Sequence, residues 1–122
     1  MMLRHNGTMT SIFSQPIVRP ASGTHALDTE STDWQPTETP GFWTKPLLDA
    51  ASGGTTSLMK IDPGAFAGLH SHDQLEEIFV VSGQFRDQHR TYAPGHYCVR
   101  AVGEMHTATS DEGCVVLLVY RP

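Results

Sequence analysis

The chain of 122 residues is long enough for one domain with one core, and it leaves little room for a second core. Its formal net charge of -5, from 13 acidic and 8 basic residues with no Lys/Arg cluster, argues against a nucleic-acid surface. The longest apolar run, Cys114 to Tyr120, is too short to span a membrane, and the N-terminus lacks the apolar segment of a secretory signal. We therefore expect a cytoplasmic protein whose partners are small molecules rather than nucleic acids or membranes.

The first part of the chain, residues 1–33, is rich in Ser, Thr, Gly and Pro and shows no lasting periodicity. A segment of this composition buries little apolar surface, so we expect a loosely ordered N-terminal arm. Residues 34–122 are then expected to form the single folded domain.

Short apolar or alternating runs recur through the rest of the chain, and Gly or Pro occupies nearly every gap between them. The predicted strands are Phe42 to Leu48, Thr55 to Ile61, Glu76 to Val81, Gln84 to Asp87, His96 to Arg100, His106 to Thr109 and Cys114 to Tyr120. No segment shows ten or more residues of helical periodicity. The pattern therefore predicts an all-β domain, either an antiparallel sandwich or a barrel.

Three prolines, Pro36, Pro40 and Pro46, lie at the beginning of this domain. Proline cannot donate a hydrogen bond to a neighbouring strand, so this segment is expected at the edge of a sheet. An edge strand in a small barrel can pair with a second copy of the chain, and we expect a homodimer.

The two cysteines, Cys98 and Cys114, both lie in predicted strands. Without an export signal, buried reduced thiols are the expected state, and a disulfide is disfavoured. Neither cysteine has a C-x-x-C partner, which also disfavours a zinc site built from them.

A cluster of histidines and carboxylates is the most specific feature of the sequence. His70 and His72 are two residues apart, so on a strand their imidazoles would project to the same face and could share one metal ion. Glu76 has the same parity, and Glu77 beside it is the alternative carboxylate. His106, which follows Gly103, adds a third imidazole from a later segment.

The glycines around these residues complete two motifs that resemble those of the cupins. The first block reads Gly64-x5-His70-x-His72-x3-Glu76-x6-Gly83 and matches the first cupin motif at each fixed position. The second reads Gly95-x5-Ala101-Val102-Gly103-x2-His106-x3-Ser110. In it, Ala101 stands where cupins usually have proline and Ser110 where they usually have asparagine. These two departures concern the turn and the following strand.

Further segments make the chain similar to the ChrR-type cupins, over residues 34 to about 121. They include Trp34-Gln35-Pro36, Gly41 to Leu47, Glu76 to Gly83, Phe85-Arg86-Asp87, Tyr92 to Arg100 and Glu112-Gly113-Cys114. The resemblance implies a double-stranded β-helix, or jelly-roll barrel. It also implies that His70, His72, Glu76 and His106 hold one divalent ion such as iron, zinc, manganese or nickel.

ChrR-type cupins include small dioxygenases of diketones and hydroxyaryl ketones, and the metal-binding domain of an anti-sigma factor. The resemblance therefore implies a metal-dependent dioxygenase that cleaves a diketone or hydroxy-ketone. The alternative is a non-enzymatic metal-binding sensor or regulatory cupin. A small-ligand isomerase is a third interpretation, which the scarcity of Lys and Arg disfavours.

Three residues of one predicted strand are candidates for substrate contacts. His96 could reach the surroundings of the metal or carry a proton. Tyr97 and Arg100 could anchor an anionic or enolate substrate. The alternative is that His96 points outward, Tyr97 packs in the core and Arg100 lies at the barrel rim.

Overall fold

Strands account for nearly all the regular structure in the computed structural model, which describes residues 2–5, 8–13 and 15–122. The strands are β1 (Met2–His5), β2 (Thr8–Phe13), β3 (Ile17–Val18), β4 (His25–Leu27), β5 (Gln35–Pro36), β6 (Phe42–Asp49), β7 (Thr55–Ile61), β8 (Phe66–His70), β9 (Leu75–Gly83), β10 (Phe85–Arg86), β11 (Thr91–Tyr92), β12 (Tyr97–Arg100), β13 (His106–Thr109) and β14 (Cys114–Arg121). A single 3-10 turn, Thr29–Ser31, is the helical element of the described residues. The all-β prediction is confirmed, and the described residues contain no helix with the length and hydropathy needed to cross a membrane.

Two sheets enclose the core. The larger has the order β12-β9-β14-β7-β6-β3, with β5 also paired to β6, and the smaller has the order β11-β10-β13-β8. A third sheet joins β1, β2 and β4. The buried core residues come from both of the main sheets and are Phe42, Ile61, Ile78, Val80, Phe85, Ala108, Cys114, Val116 and Leu118.

Strand alternation decides which residues of the larger sheet face the interior. On β14 the buried positions are Cys114, Val116 and Leu118, and on β9 the even-numbered residues from 76 to 80 are buried. The two strands pair in register, with Leu118 opposite Ile78. Tyr120 and Glu76 form the next pair along the same inner face. The interior is therefore apolar in the middle of the sheet and becomes polar at this end.

Gly83, at the end of β9, lies where the backbone approaches another strand closely. Its φ of 73° is in the left-handed region. A Cβ atom at this position would lie 2.0 Å from the carbonyl oxygen of Gly113. Such a distance is far inside van der Waals contact, so only glycine fits there. The last glycine of the first sequence motif thus has a packing reason.

All seven predicted strands have a counterpart in the structure, which also contains short strands that the sequence pattern does not indicate. β8 is one of them, because the exposed Phe66 and Leu69 and the central Gly68 give it no regular alternation of burial. The two-residue strand β11 is too short to produce a pattern.

The segment expected to form an N-terminal arm contains regular structure in its described part. Ile17 of β3 pairs with Leu48 of β6 in a parallel ladder. The ammonium group of Lys45 donates a hydrogen bond of 2.8 Å to the carbonyl oxygen of Thr29. Residues 1, 6, 7 and 14 of the segment lie outside the described residues. The division into an arm of residues 1–33 and a domain of 34–122 stays a prediction.

Cys98 and Cys114 are free thiols, the first half-buried and the second buried. Burial raises the pKa of both thiols. Both therefore remain protonated at neutral pH and act as small apolar side chains.

Candidate metal centre

Three imidazoles meet at the polar end of the interior. His70 is the last residue of β8 and pairs directly with His106, the first residue of β13, with 4.3 Å between the ring centroids. The ring of His72 lies 5.0 Å from that of His70 and 5.5 Å from that of His106. One ring nitrogen from each histidine lies within 4.8 Å of the other two. This spacing is compatible with three ligands of one ion.

Backbone carbonyls fix the orientation of two of these rings. Nδ1 of His70 lies 2.6 Å from the carbonyl oxygen of Gly68, and Nδ1 of His106 lies 3.1 Å from that of Thr107. A carbonyl only accepts hydrogen bonds, so each Nδ1 carries the proton and each Nε2 keeps its lone pair. Nε2 of His106 is buried and makes no hydrogen bond with the described residues. A buried lone pair without a partner is costly unless a ligand such as a metal ion takes it.

Glu76 adds a carboxylate to the three imidazoles. Only 3% of its side chain is exposed, and its oxygens lie 3.2 Å from Nε2 of His72 and 3.5 Å from Nε2 of His106. The carboxylate accepts hydrogen bonds from Nε of Arg100 at 3.1 Å and from the hydroxyl of Tyr120 at 2.8 Å. The imidazoles and the carboxylate together form a compact donor set.

Glu77, the alternative carboxylate, faces the opposite side of β9. It accepts hydrogen bonds from the hydroxyl of Tyr97, at 2.7 Å, and from Nε of Arg121. These bonds lower the pKa of Glu77 and keep it ionised on the outer surface. Strand alternation therefore brings Glu76, and not its neighbour, to the imidazoles.

The expectation that His70 and His72 share one strand is wrong. β8 ends at His70, and His72 lies in the loop of residues 71–74 that leads to β9. The amide of Gly103 donates a hydrogen bond of 2.8 Å to the carbonyl oxygen of His72, which ties this loop to the turn before β13. The two imidazoles converge because the loop is anchored, and not because of strand alternation.

Burial keeps the histidines in the form that binds metal. Desolvation lowers the pKa of His72 and of His106, and this effect outweighs the opposing charge of Glu76. Both imidazoles are therefore neutral at neutral pH, and a neutral imidazole is the ligand form. Burial, followed by the neighbouring Glu76, raises the pKa of Tyr120, so its hydroxyl stays protonated and can donate a hydrogen bond.

A buried ion pair between Arg100 and Asp87 lies next to the carboxylate of Glu76. Arg100, which is 8% exposed, also donates from Nη1 to Asp87 at 2.9 Å. Asp87 in turn accepts hydrogen bonds from the amides of His89 and Arg90 and from the hydroxyl of Tyr92. Arg100 thus connects the carboxylate of the site to a tight turn after β10.

We expect acid to destabilise the protein through Asp87. Burial acts to raise the pKa of this carboxyl, but hydrogen bonds from Arg90, His89, Tyr92 and Arg100 outweigh it, so the pKa lies below its ordinary value. A depressed pKa in the folded state gives a contribution that is complete above about pH 4 and is lost as the pH falls through the folded-state pKa. Urea unfolding of Asp87→Asn should therefore show lower stability at neutral pH and a weaker decline below about pH 4 than the unsubstituted protein. Equal declines in the two proteins would contradict this role of Asp87.

A cavity of about 680 Å³ opens beside the cluster. Its walls are formed by Thr37, Thr39, Phe42, Thr44, Ser57, Met59, Phe66, Ala67, Gly68, Leu69, His70, His72, Glu76, Ile78, Phe85, His106, Ala108, Leu118 and Tyr120. All four of the proposed metal ligands are exposed to this space. The cavity is large enough for a small organic substrate.

The three candidates for substrate contacts lie away from this wall. Tyr97 is 55% exposed on the outer face of β12, where its hydroxyl bonds to Glu77. His96 is exposed, and its Nδ1 accepts a hydrogen bond from the amide of Ala93. Arg100 contacts Glu76 but does not line the cavity. Tyr120, which the sequence analysis did not single out, both donates a hydrogen bond to Glu76 and lines the cavity.

Solved cupin structures share this β-barrel fold. The match of the family model is extensive: it is the ChrR cupin-like domain, and it covers residues 22–122. The chain therefore belongs to the ChrR cupin-like family, as its motifs indicated. No curated protein gives a significant match to the chain.

Several solved structures are similar to this chain. An RmlC-like cupin from Shewanella frigidimarina has a TM-score of 0.72 at 18% identity, covering 82% of this chain and 92% of its own. KdgF from Halomonas sp. has a TM-score of 0.65 at 27% identity, covering 78% and 91%. A chain in the structure of Rhodobacter sphaeroides SigE in complex with the anti-sigma ChrR has a TM-score of 0.66 at 23% identity, covering 77% and 52%. The present chain thus corresponds to about half of that last one.

Proposed function

We propose that the protein holds one divalent metal ion through His70, His72, Glu76 and His106. The observation that carries this proposal is the buried Nε2 of His106, which has no hydrogen-bond partner among the described residues and lies beside two further imidazoles and a carboxylate. Three neutral imidazoles and one carboxylate suit iron, manganese, nickel and zinc.

We further propose that the protein is a dioxygenase that cleaves a small diketone or hydroxy-ketone. When bound, a divalent ion supplies a Lewis acid that polarises the substrate oxygens. For a 1,3-diketone, one carbon-carbon bond breaks and both atoms of dioxygen enter the products, a carboxylic acid and a dicarbonyl. This balance needs no external reductant.

The side chains around the cavity have separate tasks in this proposal. Phe42, Met59 and Ile78 give it apolar walls that would exclude water from the reacting carbons. Tyr120 and Arg100 hold Glu76 in a fixed orientation through their hydrogen bonds. Such support maintains the geometry of a site before substrate arrives.

Metal analysis and oxygen uptake test the proposal together. Protein purified without a chelator or a nickel column should contain about one iron, manganese or nickel ion per chain by elemental mass spectrometry. It should consume oxygen when a 1,3-diketone is added, in a 1:1 ratio to the substrate. One tightly held zinc ion without oxygen uptake would overturn the proposed dioxygenase activity and favour the alternative, a sensing or regulatory cupin. Absence of any metal would contradict the proposal that the four residues bind an ion.

A homodimer and a cytoplasmic location stay predictions. The edge position expected for the proline segment is supported by β5, in which Pro36 pairs only with β6 among the described strands. Sedimentation analysis of the purified protein would establish the oligomeric state.

A further inference from the structure

A second cavity, of about 410 Å³, lies on the outer face of the four-stranded sheet. Strand alternation separates this outer cavity from the inner one at the imidazoles, because on β10 Phe85 lines the inner cavity and Arg86 the outer one. On β13, Ala108 lines the inner cavity and Thr109 the outer one. Among the described residues only Phe66, on the edge strand β8, lines both. The outer cavity is therefore a separate space from the candidate metal centre.

Basic and hydroxyl side chains make up much of the lining of the outer cavity. Strand register aligns Thr91, Arg86 and Thr109 side by side across β11, β10 and β13. The turn between β10 and β11 adds His89 and Arg90 to the same lining. Two of the chain's eight Lys and Arg residues thus border one cavity, although the net charge of the chain is -5.

One carboxylate, that of Asp87, also lines the outer cavity, but its oxygens are already bonded within the protein. Its side chain is 0% exposed and accepts hydrogen bonds from two backbone amides, from the Tyr92 hydroxyl and from Nη1 of Arg100. Neither the guanidinium of Arg86 nor that of Arg90 pairs with it. Asp87 therefore leaves both exposed cations available to a ligand.

The two guanidinium groups have unused hydrogen-bond donors. Within the described part of the chain, the side chain of Arg90 forms no hydrogen bond or ion pair. Arg86 donates from Nη2 to Asp111 at 2.8 Å, and these two side chains are 46% and 66% exposed. Arginine carries five N–H donors, so most of those of Arg86 remain free. A ligand in the cavity can therefore meet two cations.

We propose that the outer cavity binds the phosphate group of a small soluble molecule through Arg86 and Arg90, with the hydroxyls of Thr91 and Thr107 as further donors. A phosphate group has several oxygens in a tetrahedral arrangement and a charge near -2, so it can accept from both arginines and from the hydroxyls together. A planar carboxylate matches only one guanidinium in this way. The net charge of -5 disfavours an extended polyanion such as a nucleic acid or an anionic membrane.

Amide chemical shifts of the isotope-labelled, zinc-loaded full chain test the proposal, because they report where an anion binds. The probes are inorganic phosphate and glycerol phosphate, with acetate for comparison. We expect the shifts of residues 86–91 and 107 to change and to saturate at about 1–10 mM phosphate, with weaker binding of acetate. Changes confined to residues 70–76 and 106 would place the anion at the imidazole cluster and overturn the outer site. Absence of saturation, or equal binding of acetate, would also overturn it.

Charge changes around the outer cavity should act in opposite directions. Arg90→Gln removes the unpaired cation and should weaken phosphate binding about fivefold, whereas Asp111→Asn removes the competing carboxylate and should strengthen it about twofold. Arg121→Gln is the matched control, because Arg121 is 63% exposed, pairs with Glu77 and does not line the cavity. It should leave phosphate binding unchanged. Equal weakening in Arg90→Gln and Arg121→Gln would show general charge attraction instead of a site.

Vesicles distinguish a soluble phosphate from a lipid headgroup. Vesicles of phosphatidylcholine and phosphatidic acid in equal parts present a phosphate monoester at a membrane surface. We expect the protein not to sediment with them. Sedimentation that inorganic phosphate reverses would assign the cavity to a lipid headgroup and overturn the soluble ligand. Failure of the phosphate site in any of these tests leaves the proposed metal site intact, because the outer cavity contains none of its four proposed ligands.

Discussion

We expect the replacement of Arg100 by Met to lower the free energy of unfolding of the metal-free protein by about 3–5 kcal/mol. Arg100 is 8% exposed and donates to both Glu76 and Asp87, whose side chains are 3% and 0% exposed. Methionine fills a similar volume but leaves these two carboxylates without a cation in the interior. One guanidinium nitrogen, Nη2, is buried without a partner, so we expect the lower part of this range.

The chain contains a matched control for this effect. Arg86 donates to Asp111 at 2.8 Å, nearly the length of the bond between Arg100 and Asp87, but these two side chains are 46% and 66% exposed. Arg86→Met should change the stability only slightly, because water already solvates both charges. Urea unfolding of the two variants in the presence of a chelator measures the difference. Similar losses in both would show that burial does not determine the contribution of the buried pair.

We expect the replacement of His106 by Ala to lower the affinity for a divalent ion by a factor of about a hundred or more. Substitutions in the surroundings of metal ligands typically cost about 10- to 100-fold in affinity, and loss of a ligand should exceed them. His106 is 3% exposed, and its Nε2 has no hydrogen-bond partner in the described structure. Removing the imidazole therefore removes one of the four proposed metal ligands.

Competition with a fluorescent chelator measures this loss for zinc and cobalt, and circular dichroism verifies that the variant keeps its strands. His89→Ala is the control, because His89 is exposed and its contact with Asp87 is made by the backbone amide. It should bind metal like the unsubstituted protein. Unchanged affinity in His106→Ala would refute the four-ligand assignment.

Three of the four residues of the candidate centre could be predicted because their spacing is local, whereas His106, 30 positions after Glu76, was predicted from the second motif. His70, His72 and Glu76 lie within seven residues, and the flanking Gly83 has a steric requirement that is independent of any ligand. The parity argument for Glu76 selected the carboxylate that the structure brings to the imidazoles. The argument selected the right residue although the loop after β8 interrupts the strand. β9 begins at Leu75, and its even-numbered residues, beginning with Glu76, face the interior.

The supporting residues could not be predicted in the same way. Tyr120 meets Glu76 across 44 positions of sequence, through the pairing of β14 with β9. Asp87, directly after β10, pairs with Arg100 at the end of β12, 13 positions later. Such contacts depend on sheet order and strand register, and neither has a local sequence signal. β8 lacked a signal as well, because its apolar residues point partly into solvent at the cavity mouth.

The position of the candidate centre between two sheets has a consequence for the dynamics of the barrel. His70 and His106 belong to the four-stranded sheet, whereas Glu76 belongs to the seven-stranded sheet. A metal ion bound by His70, His106 and Glu76 would link the two sheets at the open end of the barrel. The sheets could then separate there only if the ion dissociated. Metal loading would then slow amide hydrogen exchange in both sheets together, and loss of the ion would let the cavity mouth open without unfolding of the rest.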